Sequence, residues 1–187
     1  MDGGAGATTS ALHWKELIAE CVGVVWPELP DGVEWIVAQC QAESAGDPMA
    51  RSSSGACGLL QLMPATAAEV DVANIFDPAD NLHGGVAYLH RQYLALGEIH
   101  NHLDRLLWSF ASYNGGRGYV NKALELARKD DPEWWRWGVG RFWLMHRDLW
   151  IPRGSRQLRP DYRQMWSYVA RIRTVAAHLG AFTGGPL

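Results

Sequence analysis

Residues 31–66 read DGVEWIVAQCQAESAGDPMARSSSGACGLLQLMPAT, and the fold turns on this stretch. From Asp31 onward Val33, Ile36, Val37 and Cys40 recur at three- and four-residue spacing, the pattern of a helix with one face in a core. One more turn carries that stripe to Glu43. A carboxyl group on an apolar stripe is partly desolvated, which disfavours its anion. An acid that holds its proton is what protonation of a glycosidic oxygen requires. The plainer alternative is a glutamate in a last helical turn facing water. Residues 44–58 are rich in Ser, Gly, Asp and Pro and read as a loop folded back over the end of the helix.

Outward from this stretch the period is helical almost everywhere, so the expected architecture is mainly α, with little or no β. A first helix runs from after Ser10 toward Val25, where Trp26-Pro27 ends it. Asp77 and Pro78 form an N-cap and N1 pair opening a helix with Leu82, Val86, Leu89 and Tyr93 inward, which stops by Gly97. Another spans about His102 to Tyr113 and breaks at Gly115-Gly116. The last follows Pro160, places Met165, Val169, Ile172 and Ala176 on one stripe together with Tyr162 and Trp166, and ends at Gly180. Residues 129–159, dense in Trp and Arg, have no pattern that assigns them an element. The expected organisation is a flexible stretch over 1–10, one domain over 11–180 with 129–159 as an insertion, and a flexible tail over 181–187.

The chain has 187 residues, 48% of them hydrophobic, enough for a sizeable core. No apolar run reaches the roughly 18 residues of a membrane span, and residues 1–10 lack the basic start and apolar run of a signal peptide. Cys21, Cys40 and Cys57 are odd in number and lack C-x-x-C spacing, so free thiols are expected rather than disulfides or a zinc site. The seven histidines include no H-E-x-x-H, so neither a metal nor an organic cofactor is expected. A phosphate-binding loop ending and a serine nucleophile elbow are also missing from the sequence. The net charge of −3 hides an asymmetry: fifteen of the seventeen basic residues follow His90, giving −10 before and +7 after. Such a basic half fits a surface that meets a polyanion, and equally two halves that attract each other.

The ordered run Glu43-Ser44, Ser52, Gly55-Ala56, Gly58-Leu59-Leu60-Gln61-Leu62-Met63-Pro64 and Thr66 closely resembles the signature of the soluble lytic transglycosylase family, which is related to goose-type lysozymes. Leu60 stands where the family usually has Met, a swap that keeps apolar volume. Gly85 through Tyr88-Leu89 is similar to the family's G-x-x-Y-L element, and Ser112-Tyr113-Asn114-Gly115-Gly116 to its A-Y-N-A-G element. Aligning Tyr168-Val169 on a later motif puts Gln164 where the family often has a second Glu, with a spacing from Pro160 one residue longer.

The resemblance implies a lysozyme-like fold acting on peptidoglycan glycan strands. It implies Glu43 as acid and base, Ser52 bonding near it or to the substrate's N-acetyl group, and Gln61 and Met63 lining the sugar groove. It further implies that Tyr113 faces Glu43, that Asn114 reaches the substrate, and that Gln164 and Tyr168 belong to the substrate-binding set. Tyr88 reads more simply as a core aromatic, and Asp47, the nearest second carboxylate, as a turn residue beside Pro48. Without a second carboxylate, the family's route is assistance by the N-acetyl group and closure to a 1,6-anhydro sugar. Two rivals stand: a hydrolase on the same fold, of goose-type lysozyme or chitinase kind, and a non-catalytic glycan-binding module. Small size, the absent export signal and the basic half resemble a bacteriophage endolysin or virion-associated lysin. That likeness implies a monomer acting on the wall, with the basic half meeting anionic wall polymers or a membrane surface, and no nucleic-acid partner.

Overall fold

The computed structural model describes residues 11–153 and 156–184, with the backbone alone at 152, 153 and 156. The elements are helical apart from two three-residue strands. The chain divides into two compact units: residues 11–87 with Ile172–Phe182, and residues 88–171 with 183 and 184. Helices α4 (Pro78–Leu94) and α8 (Tyr162–His178) contribute residues to both.

In the first unit a short 3-10 helix (Ala11–Trp14) leads into α1 (Lys15–Val25), which pairs with α2 (Gly32–Ser44). The pairing is close because of Gly32, where a Cβ would stand 2.9 Å from Val22 Cγ1. The Trp14 indole donates to the carbonyl of Gly46 at 2.8 Å and Ala11 N–H to Gln41 Oε1 at 3.2 Å, tying the chain's start to the end of α2. Ile18, Cys21, Trp35, Ile36 and Cys40 are buried with Leu59, Leu60, Leu62, Leu82 and Val86. Each large aliphatic side chain so buried contributes about 1.5–3 kcal/mol. Short α3 (Pro64–Glu69) starts at the N1 proline, and α4 is capped as its sequence predicts, Asp77 Oδ1 accepting from Asp80 N–H at 3.0 Å.

In the second unit α5 (His102–Gly115) is capped by the Asn101 side chain and packs against α6 (Arg117–Asp130). Helix α6 is, with short α3, an element that the sequence reading does not contain. Its stripe of Val120, Ala123, Leu124 and Ala127 is buried, but small alanines weaken the apolar signal and no side chain caps its start. The Trp/Arg-rich stretch therefore begins inside a helix at 129–130 and continues as α7 (Trp137–Gly140), a 3-10 helix (Arg141–Met145), and antiparallel strands β1 (Ile151–Arg153) and β2 (Arg156–Leu158). Trp108 anchors it: the indole donates to Trp135 O at 3.0 Å and meets the Trp137 ring edge-on at 4.9 Å. Trp137 N–H donates to Asp104 Oδ1 at 2.7 Å. The N-terminal turn of α8 is capped by Asp161 Oδ1, which accepts from Gln164 N–H at 3.0 Å.

Candidate active site

Glu43 lies in the last turn of α2 and is half-buried. The helix stops at Ala45, whose φ of 53° is left-handed. Ser44 then holds the returning loop. Its hydroxyl lies 2.8 Å from Leu59 O and 3.2 Å from Cys40 O, and with one proton to give it serves the nearer carbonyl. The same oxygen accepts from Gly46 N–H at 3.1 Å. The loop thus returns to the end of the helix that bears Glu43, as its composition predicts. Behind Glu43, burial pushes the Cys40 thiol up to about 12, and the neighbouring Glu43 charge pushes the same way.

Within the loop, Ser52 Oγ accepts from Ala56 N–H at 3.0 Å and pairs with Ser54 Oγ at 3.0 Å. Ser52 thus builds its own turn. Gln61 has a left-handed φ of 49°, a conformation costing a non-glycine residue about 1–2 kcal/mol. Its Nε2 donates to Ala50 O at 3.2 Å and Gly58 O at 3.0 Å, which hold it there. Met63 is 43% exposed. Asp47 Oδ1 accepts from Met49 N–H at 2.8 Å, the turn role its sequence position predicts.

Beneath this loop stands a residue that the sequence reading passed over. Asn81, fully buried on α4, accepts from Leu60 N–H at 2.8 Å and donates to Cys57 O at 3.1 Å and Ile75 O at 2.8 Å. Gly58, with φ of 79°, leaves room for that amide. Gly85 lets α4 approach Leu60 so closely that a Cβ there would collide with it. The sequence carries little signal for it, since α4 also holds Asp80, His83, His90, Arg91 and Gln92.

In the second unit Tyr113 and Asn114 close α5. The Tyr113 ring meets Tyr88 edge-on at 5.1 Å, and both are half-buried. Asn114 Oδ1 is buried without a hydrogen-bond partner among the described residues. Gly115 is where α8 crosses, since a Cβ there would enter the Met165 side chain. Arg117 donates from Nε and Nη2 to Gln92 Oε1, at 2.9 and 2.7 Å, and from Nη2 to Gln92 O at 2.8 Å. Desolvation lowers its pKa. Gln164 is exposed in the first turn of α8. Tyr168 corrects the sequence reading: at 1% exposure it is a core residue and presents no surface to a ligand. Among the described residues no three His, Cys, Asp or Glu side chains cluster as a metal site would need, and no helix is long and apolar enough to cross a membrane.

Residues 32–135 match the family described as the transglycosylase SLT domain. The chain is 39% identical over 109 residues to membrane-bound lytic murein transglycosylase F of Desulfosudis oleivorans, covering 56% of this chain and 24% of that protein. It is 36% identical over 115 residues to the transglycosylase of Enterobacteria phage PRD1, covering 60% and 38%. To membrane-bound lytic murein transglycosylase F 1 of Alkalilimnicola ehrlichii it is 32% identical over 165 residues, covering 87% and 31%. It thus spans roughly a quarter to two fifths of these relatives' lengths. Among solved structures, an inactive mutant of the lytic transglycosylase Slt from Pseudomonas aeruginosa aligns with a TM-score of 0.62 over 89% of this chain and 24% of the other, at 24% identity. That likeness establishes the mainly α, lysozyme-like fold. With more than half its residues inside the family match, the chain belongs to the transglycosylase SLT family.

Proposed function

We propose that the chain is a peptidoglycan lytic transglycosylase with Glu43 as its acid and base. The observation that carries this reading is Glu43 half-buried at the end of α2, beside a loop that Ser44 and Asn81 fix through buried hydrogen bonds, inside the family match. The Glu43 carboxyl gives its proton to the oxygen linking N-acetylmuramic acid to N-acetylglucosamine, and the C1–O bond breaks. The substrate's own N-acetyl oxygen meets the positive charge at C1. Its C6 hydroxyl then closes on C1, displacing the N-acetyl oxygen, while the Glu43 carboxylate takes the hydroxyl proton. The product is a 1,6-anhydro sugar, and no water enters.

Ser52, Gln61 and Met63 are proposed sugar contacts of the first unit, and Tyr113 and Asn114 contacts of the second. Gln164 is exposed and available to the same polymer. Asp47 is engaged in its own turn, which favours substrate assistance over a water-directing second carboxylate. The phage relative fits a lysin that acts on the bacterial wall.

Product analysis tests this. Digested peptidoglycan should yield muropeptides one water lighter than hydrolysis products and inert to borohydride. Reducible ends as the main product would move the chain to the hydrolases.

A further inference from the structure

The second unit contains an open cavity of about 820 Å³ between α6 and the segment after the 3-10 helix. Asn121 and Leu126 line one side, Asp148, Trp150 and Ile151 the other. None of these is among the residues proposed above for the chemistry. The α6 wall lies inside the family match, but Asp148, Trp150 and Ile151 lie beyond its end at residue 135.

The charges along the walls decide what fits. Lys122, the one cation among the described residues of the lining, points both its short hydrogen bonds at Glu125, 3.0 Å to Oε1 and 2.9 Å to Oε2. Lys129 adds a third bond to Oε1 at 3.4 Å. These bonds, Lys122's first, hold the Glu125 carboxyl below its ordinary pKa, so the ion pair is closed on itself and presents little net charge. Among the described residues of the lining a phosphate or other polyanion finds no available cation. What remains is the Trp150 ring, 39% exposed, the aliphatic groups of Leu126 and Ile151, the Asn121 amide, and the Asp148 carboxylate. Asp148 is only loosely paired, 3.8 Å from Arg147 Nε and 3.9 Å from His146 Nδ1.

We propose that this cavity is a second glycan-binding site, taking one or two N-acetylated sugar residues of the strand on the Trp150 ring. This inference rests on the reading of the chain as a peptidoglycan enzyme. A pyranose has an apolar C–H face that covers an aromatic ring, and hydroxyls around its rim that need acceptors and donors in the ring's plane. Trp150 supplies the first, Asp148 and Asn121 the second, and Leu126 with Ile151 an apolar seat for an acetyl methyl. The volume lies within the range of small-molecule sites, about 300–1,000 Å³. A site of this kind keeps the polymer attached between cleavage events without contributing to the bond-breaking step.

The test uses the full chain carrying Glu43→Gln, so that ligand is not consumed, and the tetramer of β-1,4-linked N-acetylglucosamine as probe. Backbone amide shifts are followed by NMR around Gln61 and around Asn121. Saturable shifts are expected in both places. Adding Trp150→Ala should weaken binding at Asn121 by about tenfold or more, the usual cost of removing a tryptophan that anchors a ligand, while the Gln61 shifts keep their affinity. Gly118→Leu, placed at the cavity mouth where a Cβ meets Ile151 only at 3.4 Å, should have the same selective effect by filling the space. Shifts at Gln61 with none at Asn121 would overturn the second site and leave the proposed function standing. Shifts at neither, together with no cleavage of peptidoglycan by the unmodified chain, would remove the function itself. Shifts at Asn121 with a free peptide stem but not with the sugar tetramer would make the cavity a peptide site and overturn the proposal.

Discussion

The unit that carries Glu43 has eleven acidic residues against three basic; the unit that carries Tyr113 has fourteen basic against eight acidic. They also use polar groups differently. In the first, the decisive bonds are buried and neutral: Asn81 to three backbone groups and Ser44 to Leu59 O. In the second, charge lies at the surface, in the pairs Lys122–Glu125, Arg128–Glu98 and Arg136–Glu133, each member about a third or more exposed. Guanidinium groups also cover rings there, Arg105 over Tyr93 at 3.9 Å and Arg128 over Trp134 at 4.1 Å. Exposed pairs contribute only about 0–1 kcal/mol, whereas a buried group stripped of its partner costs about 1–3 kcal/mol. The buried polar groups of the first unit therefore fix geometry, whereas the exposed ion pairs of the second add little to its stability.

The sharpest cut at this contrast is Glu43→Gln. An amide of the same shape keeps the packing but has no proton to give, and cleavage should fall by about a hundred- to ten-thousand-fold, with an unchanged melting curve. Muropeptide release measured beside thermal unfolding separates the two. Activity near that of the unmodified chain would place the chemistry elsewhere.

Next in size is Asn81→Leu. It strands Leu60 N–H, Cys57 O and Ile75 O, so a loss of about 3 kcal/mol or more is expected by urea unfolding, with cleavage falling as the loop loosens. Its counterpart in the other unit, Arg128→Gln, removes an exposed pair and a ring contact and should cost no more than about 1 kcal/mol. Equal losses from the two would erase the distinction between the units.

These two residues also mark what the sequence disclosed. Glu43 was legible because an apolar period of three and four ran straight into it and an ordered motif followed. Asn81 was not, because its work is chiefly to satisfy backbone groups of residues 57 and 60, 24 and 21 positions away, and only the folded loop brings them together. The helix start with a capping side chain at Asp77 was readable. Helix α6, opened by Gly116 with no cap and carrying alanines on its buried face, was not. The Trp/Arg-rich segment failed for the same reason as Asn81: Trp108 and Asp104 hold it through contacts about thirty residues apart. Tyr168 was misplaced because a motif gives identity without direction, and the α8 register turns that ring into the core.

A smaller effect comes with pH. All three cysteines lie in the first unit, and burial pushes the Cys21 and Cys40 thiols up to about 12 from 9.0. An unfolded chain releases those protons near 9 while the fold keeps them to about 12, so stability is full below 9 and falls as pH climbs between the two values. At pH 10 this amounts to about 1.4 kcal/mol per thiol. Urea midpoints at pH 8 and 10 measure the fall, and Cys40→Ala should make it shallower. Hydrogen exchange should show the first unit loosening before the second. A fall equally steep in the Cys40→Ala variant would assign the alkaline sensitivity to other groups.

The smallest expected effect concerns the excess positive charge of the second unit. Arg153, Arg156 and Arg159 lie on and beside the β1–β2 pair, and Arg159 is exposed, with Nη2 donating to Arg147 O at 2.6 Å. Arg159 is not among the described lining of the Trp150 cavity. If they serve to approach acidic wall polymers or anionic lipid, the attraction is between exposed charges and is screened within about 8 Å at physiological ionic strength. Replacing all three with Gln should then weaken binding to intact walls severalfold at low salt, with the difference shrinking as salt is raised. A half-buried acid acting within a hydrogen-bonded loop is little affected by the same screening, so turnover of short soluble glycan fragments should hardly change. Sedimentation of the Glu43→Gln protein with isolated walls across a salt series reads the first quantity, and fragment turnover by the otherwise unmodified triple variant reads the second. Loss of fragment turnover with wall binding intact would show that these arginines hold the sugar or the fold, and the separation of attachment from chemistry between the two units would fail.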